Sequence, residues 1–280
     1  MNAPFRPALR YMGGKWRLAP WVIAHMPVHR TYVEPFGGAA SVLLRKPRCF
    51  QEIYNDLDGE IVNLFQVLRD PTDAAELARL IELTPWARAE FDASYLDAAD
   101  PVEMARRTVV RSFMGFGSTA TAKRSKTGFR SGSDRNGKHP AQDFASMPDA
   151  LLAISARMRG VVIENRPALQ VIAACDGPET LVYADPPYVH ETRSPKRKGG
   201  EIAHSYNHEM TAEDHAELLA ALVGCRSMVL LSGYPHPSYD AALPGWRRVD
   251  VAALADGARR RTESLWINPA AQAASRDLFS

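Results

Sequence analysis

Four consecutive residues, Asp185-Pro186-Pro187-Tyr188, group a carboxylate, a rigid carbonyl-bearing turn and an aromatic face. They follow Leu181-Val182-Tyr183-Ala184, a short apolar run that reads as a buried strand. Proline cannot donate to a sheet ladder, so the chain leaves the sheet after Ala184 in an extended turn. The group then stands at a strand's carboxyl end, where open α/β sheets hold ligands. A planar amine can give its two hydrogens to the Asp185 carboxylate and the Pro186 carbonyl while its ring stacks on Tyr188. Taken alone, the same residues serve equally well as a strand-ending turn with an exposed tyrosine.

Two other stretches carry ligand chemistry. Thr31-Tyr32-Val33-Glu34 reads as a strand running into Pro35-Phe36-Gly37-Gly38-Ala39-Ala40, with a helix expected over residues 41–45 and stopped before Pro47. This is not Gly-x-Gly-x-x-Gly, so a ligand with an adenosine but no phosphates fits better than a dinucleotide. About 20 residues further on, the spacing of a ribose-binding acid, the strand Ile53-Tyr54 places Asp56 at its carboxyl end. Asp56 can accept from ribose hydroxyls there, or cap the next helix. Near the start, Tyr11-Met12-Gly13-Gly14-Lys15 precedes a helix-like segment over residues 16–25. Two glycines admit a close backbone approach to a ligand. Without the four-residue spacer and the following Ser/Thr this is no P-loop, and on its own it is a plain turn into a helix.

The elements that must position these groups divide the chain into 1–71, a first half of an α/β sheet, 72–160, where the strand–helix rhythm breaks, and 161–280, where it resumes. A helix carries Ile61, Leu64, Phe65 and Leu68 and ends at Asp70-Pro71. Helical patches over 74–83, 86–96 and 102–114 follow with no strand between them. The loop over 118–140 holds Lys123, Arg124, Lys126, Arg130, Arg135 and Lys138, with Phe129 and His139 interleaved. Clustered cations beside an aromatic suit a phosphate backbone and base contacts; a solvated loop is the plain alternative. Further strands are expected over 161–163, 181–184, 227–232, 246–251 and 264–267, and a helix capped by Thr211 ends at Gly224. Two more basic loops flank this half, one with Arg193, Lys196, Arg197 and Lys198, the other with Arg259, Arg260 and Arg261.

The chain of 280 residues is 46% apolar and 24% charged, with a formal charge of +2, so a nucleic-acid partner would have to be held by local clusters. Cys49, Cys175 and Cys225 have no metal-like spacing and suit a reducing compartment, and no structural metal is expected. No run approaches the ~20 apolar residues of a membrane span. No signal-peptide pattern opens the sequence. The expectation is a soluble cytoplasmic protein with no membrane and no obligate protein partner.

In their order, Tyr11-Met12-Gly13-Gly14-Lys15, Glu34-Pro35-Phe36-Gly37-Gly38-Ala39, Asn55-Asp56 and Asp185-Pro186-Pro187-Tyr188 make the chain resemble the Dam-like, alpha-group DNA adenine methyltransferases. Lys126-Thr127-Gly128-Phe129-Arg130 is similar to that family's Gly-x-Phe-Arg segment, and residues 262–269 to its last strand; residues 206–211 look more like phage and prophage members. The resemblance implies a Rossmann-like S-adenosylmethionine-dependent methyltransferase sheet with a mostly helical DNA-recognition insertion. It implies S-adenosylmethionine as cofactor, contacted at Tyr11, Lys15, Asp56 and Asp185 and bordered by Phe36, Gly37 and Gly38. It makes Asp185, Pro186 and Tyr188 the catalytic positions, acting on adenine flipped from double-stranded DNA. Lys123, Arg124, Lys126, Arg130, Arg193, Lys196, Arg197, Lys198, Arg259 and Arg260 become candidate DNA contacts. Tyr11 departs from the Trp of the bacterial maintenance member but keeps an aromatic ring. Alternatives are an amine methyltransferase acting on RNA, cytosine or a protein glutamine, whose families tend to carry Ser or Asn before Pro-Pro-Tyr, and a DNA-binding relative without catalysis. The insertion matches only in patches, so neither the target sequence nor a role in restriction protection, regulation or phage defence evasion carries over.

Overall fold

The computed structural model describes residues 3–117, 121, 123, 126–132, 137, 139–188, 197–198, 201–202, 208–255 and 259–276. The elements in chain order begin with α1 (Ala19–Ile23), β1 (Thr31–Glu34), β2 (Gln51–Asn55), α2 (Gly59–Arg69), α3 (Pro71–Leu83), α4 (Arg88–Ala93) and α5 (Pro101–Met114). There follow α6 (Pro140–Phe144), α7 (Met147–Met158), β3 (Val161–Glu164), α8 (Ala168–Ala174), β4 (Thr180–Ala184) and a hairpin of β5 (Arg197–Lys198) and β6 (Glu201–Ile202). The chain closes with α9 (Ala212–Gly224), β7 (Met228–Gly233), α10 (Pro237–Ala242), β8 (Arg247–Ala255), β9 (Arg259–Ile267) and α11 (Pro269–Arg276).

Seven strands form one sheet in the order β3-β2-β1-β4-β7-β9-β8. The first five are parallel, and β9 runs antiparallel between β7 and β8. From β1 the parallel strands run outward in sequence order both ways, β2-β3 to one side and β4-β7 to the other, so the carboxyl ends of β1 and β4 lie side by side at a topological switch point. Strand alternation sends Tyr32, Tyr54, Tyr183, Leu265 and Ile267 to one face, into a core shared with α2, α3, α5 and α7. Val33, Val182, Val229, Leu231 and Trp266 go to the other, under α8 and α9. The helices of 72–160 therefore complete one face of the sheet.

Local sequence explains the helix boundaries near the ligand edge. Asp58 caps α2 by accepting from the Glu60 N–H at 3.0 Å, and Asp70 ends α2 while capping α3 through Thr72 and Asp73, with Pro71 in the first turn. Thr211 and Asp214 close a capping box on α9. The helix expected over 41–45 is instead a series of turns: the Leu43 N–H donates to the buried Glu34 carboxylate at 3.1 Å, and Pro47 blocks extension. The segments expected over 16–25 and 86–96 narrow to α1 and α4. Arg259, Arg260 and Arg261, expected in a loop, begin β9 and pair with Ala255, Leu254 and Ala253 of β8. Phe129, expected among exposed cations, forms a bridge with Gly115 and packs on Trp86 and Phe91 at 6.2 and 5.8 Å between ring centres.

Candidate active site

Asp185, Pro186 and Tyr188 leave the end of β4 into a cavity that all the expected cofactor residues line: Tyr11, Lys15, Phe36, Gly37, Gly38, Asp56 and Asp185. Its chemical centre is Lys15, 4% exposed. The Lys15 ammonium lies 3.0 Å from Asp185 Oδ1 and 3.9 Å from Glu263 Oε2, donates to the Gly13 carbonyl at 3.0 Å, and sits 4.7 Å from the centre of the Tyr188 ring. The Tyr188 hydroxyl donates to Glu263 at 2.7 Å, and its ring meets Tyr234 edge-on at 4.5 Å. Burial, reinforced by the Asp185 and Glu263 carboxylates, keeps that hydroxyl protonated.

Tyr11 and Lys15 reach the cavity because the chain before them is fixed. Ala8 and Leu9 are buried, and the Arg10 backbone is gripped by two hydroxyls of the 72–160 region. Its N–H donates to Ser112 Oγ at 2.7 Å, and its carbonyl accepts from Thr121 Oγ1 at 2.9 Å. Opposite, the glycine turn after β1 lies against two tyrosines. A Cβ on Gly37 would fall 2.1 Å from the Tyr54 ring, and one on Gly38, at φ +46°, 2.7 Å from the Tyr11 ring. The Tyr54 hydroxyl donates to the Gly38 carbonyl at 2.7 Å, and the Gly37 N–H to the Asn55 carbonyl at 2.7 Å. Asn55 also donates to the carbonyls of Pro35 and Arg166 and accepts from the Arg166 N–H, so three strand ends are tied at one point.

Two acids complete the cavity. Asp56 accepts from the Gly38 and Asp58 N–H groups, both at 2.8 Å, and burial, outweighing these bonds, raises its carboxyl to about 6. Glu34, at the end of β1, is raised to about 8 chiefly by burial, with the Asp185 charge adding and the bonds from Tyr32 and Leu43 opposing; at neutral pH it is mainly protonated. Glu34 therefore adds little negative charge to the cavity it lines.

The sequence matches the model of the D12 class N6 adenine-specific DNA methyltransferases over residues 11–232. The chain belongs to this family. Its activity is methylation of the exocyclic N6 amine of adenine in DNA, and the RNA, cytosine and inactive-relative alternatives give way to it. No curated protein matches the chain. The matched span takes in the glycine turn, the 72–160 region and the Asp-Pro-Pro-Tyr turn, and ends inside β7, so Tyr234 and Glu263 lie beyond it.

The methyltransferase's candidate DNA contacts are less gathered than its cavity. Lys126 is 57% exposed on its side chain, paired with Asp92 at 2.8 Å and set 5.5 Å over the Tyr95 ring. Lys123 is held by Asp97 and, at 3.6 Å, by Glu60; Glu60 in turn pairs with the buried Arg111. Arg130 donates to the Phe113 carbonyl at 3.1 Å. Arg197 and Lys198 form β5, and Arg259 and Arg260 the start of β9, while Arg124, Arg193 and Lys196 lie outside the described residues. Among the described residues, no helix is long and apolar enough to cross a membrane.

Sequence reasoning passed over Glu263, Tyr234 and the wall formed by 167–169 and 208–210. Only Glu263 carried a local signal: it alternates with the buried Leu265 and Ile267 and so occupies a core-facing position that an acid takes only with partners.

Proposed function

We propose that this methyltransferase holds S-adenosylmethionine in the cavity between the glycine turn and Asp56 and presents its methyl to an adenine flipped out of double-stranded DNA. The donor set supports that cofactor. Asp56, ringed by backbone N–H groups, is a carboxylate fit for ribose hydroxyls, and Phe36, Leu57 and Leu169 supply apolar walls for an adenine ring. The glycine turn differs from the dinucleotide fingerprint, in keeping with a ligand lacking a pyrophosphate. When bound, this cofactor supplies an electrophilic sulfonium methyl.

The chain's own residues act on the amine. Its lone pair is delocalised into the purine ring and nucleophilic only when the nitrogen becomes pyramidal. Asp185 and the Pro186 carbonyl accept its two hydrogens, favour that geometry and stabilise the positive charge that grows on nitrogen during transfer. Asp185 then takes the proton released by the methylated amine. Holding the two reactants in line supplies the remaining acceleration through proximity. Extrusion of the base from the stack brings it to Asp185, with Tyr188 as the ring it stacks on.

The observation that carries this reading is the placement of Asp185 at the switch point of the sheet, in one cavity with Asp56 and the glycine turn. The test is transfer of labelled methyl to unmethylated genomic DNA by the wild type and by Asp185→Ala. The variant should lose at least about 10²–10³-fold in rate, as when a transition-state acceptor is removed, while its affinity for DNA stays within about twofold. Full transfer by Asp185→Ala would overturn the assignment.

A further inference from the structure

Strand β9 delivers an acid to the reaction edge that the matched part of the chain does not contain. Register pairs Gly233 with Ser264, so Glu263 stands just past the carboxyl end of β7, on the same face as Leu265 and Ile267. It is 7% exposed. An acid so deep is retained only when paired, and Glu263 has two partners from the active site: the Tyr188 hydroxyl at 2.7 Å and the Lys15 ammonium at 3.9 Å.

Lys15 also stands 3.0 Å from Asp185 and over the face of Tyr188. An amine that hydrogen-bonds to Asp185, with its ring against Tyr188, needs the space that the ammonium occupies. A buried ammonium cannot simply be released, because an unpaired charge in a desolvated site is costly. It needs a second carboxylate within a small side-chain movement, and Glu263 is that carboxylate.

We propose that Glu263 is a positioning residue for methyl transfer, anchoring Tyr188 through its hydroxyl and taking over the ion pair of Lys15 when the target amine engages Asp185. The proposal rests on the reading of Asp185 as the amine acceptor. It separates two functions in one side chain: the hydrogen bond fixes the stacking ring, and the charge receives the lysine.

The two are separable by substitution. Glu263→Gln keeps an acceptor for Tyr188 but removes the charge, Tyr188→Phe removes the bond and leaves β9 untouched, and Glu263→Ala removes both. Single-turnover methyl transfer to unmethylated genomic DNA is measured for each and for Tyr188→Phe/Glu263→Ala, together with S-adenosylmethionine affinity by calorimetry and thermal melting. Each single variant should slow transfer by about ten- to a hundredfold, the range for a hydrogen bond to a charged group, with cofactor affinity within about twofold. The double variant should be no slower than Glu263→Ala alone, since the bond lost is the same. Wild-type rates in Glu263→Gln overturn the lysine transfer, and wild-type rates in Tyr188→Phe overturn the anchoring. Losses that track melting or cofactor affinity overturn both. Should Asp185→Ala transfer as fast as the wild type, the site reading itself fails and the proposal falls with it; an inactive Asp185→Ala beside unaffected Glu263 variants removes the proposal alone.

Discussion

Asp56 carries two demands of opposite sign. Its folded carboxyl titrates at about 6 because burial disfavours the charge. A raised carboxyl contributes stability that is full below the unfolded value of about 3.9 and is lost as pH rises through the folded value, so the empty protein gives up stability at Asp56 at neutral pH. Acceptance from ribose hydroxyls needs the charged form. Affinity for S-adenosylmethionine should therefore fall as pH drops through about 6, approaching about tenfold per pH unit below it. Asp56→Asn should bind more weakly at neutral pH and lose that pH dependence; calorimetric titrations at several pH values check both. Gly37 makes the neighbouring constraint steric: its missing Cβ is the space the Tyr54 ring fills, so ring and turn are set together.

Among the elements, β2 and α7 are joined by charge. Glu52, 3% exposed, receives Lys46 at 2.7 Å and both terminal nitrogens of Arg157 at 2.6 and 2.8 Å, and Arg157 also donates to the Leu43 carbonyl. Burial pushes the Glu52 carboxyl up, but the bonds from Arg157 and Lys46 outweigh it and hold it low. Glu52→Ala leaves two buried cations without their counter-charge, and should cost about 3–5 kcal/mol in denaturant unfolding. Legibility in the sequence divides at this same scale. Asp185 and Asp56 could be read because each stands at the end of a short apolar run, and such a run bounded by turn residues reads as a strand buried on both faces. Thr211 was equally plain from its cap. The turns over 41–45 were not, because their deciding partner, Glu34, is a tertiary contact. Helix α7 and the pairing of Lys123 with Glu60 and Asp97 depend on how segments meet across the core. Glu263 stayed hidden because an antiparallel strand inserted between β7 and β8 brings it to Tyr188 and Lys15, and no spacing in the chain encodes that insertion.

Taken whole, a molecule of formal charge +2 has little long-range attraction for DNA, so binding has to come from local clusters. Lys126 illustrates the arrangement. Its pair with Asp92 is exposed on both sides and contributes little, so the ammonium is available to a phosphate. Lys126→Ala should lower the slope of log affinity against log salt by about 1, with the methylated sequence unchanged; filter binding over a salt series and modification-sensitive sequencing read the two quantities. Strand β9 bears on a different matter, the making of the protein. Among the described residues, its sheet partners are β7 and β8, and β8 stands at the sheet's edge with β9 as its neighbour. During translation β7 thus presents an open edge, and β8 has nothing to pair with, until the residues of β9 leave the ribosome. Lys15, which precedes β1 in the chain, waits for Glu263, which follows β8. A nascent chain gains its full lysine cage and loses its sticky sheet edge in one event, so competence for chemistry and protection from aggregation arrive together.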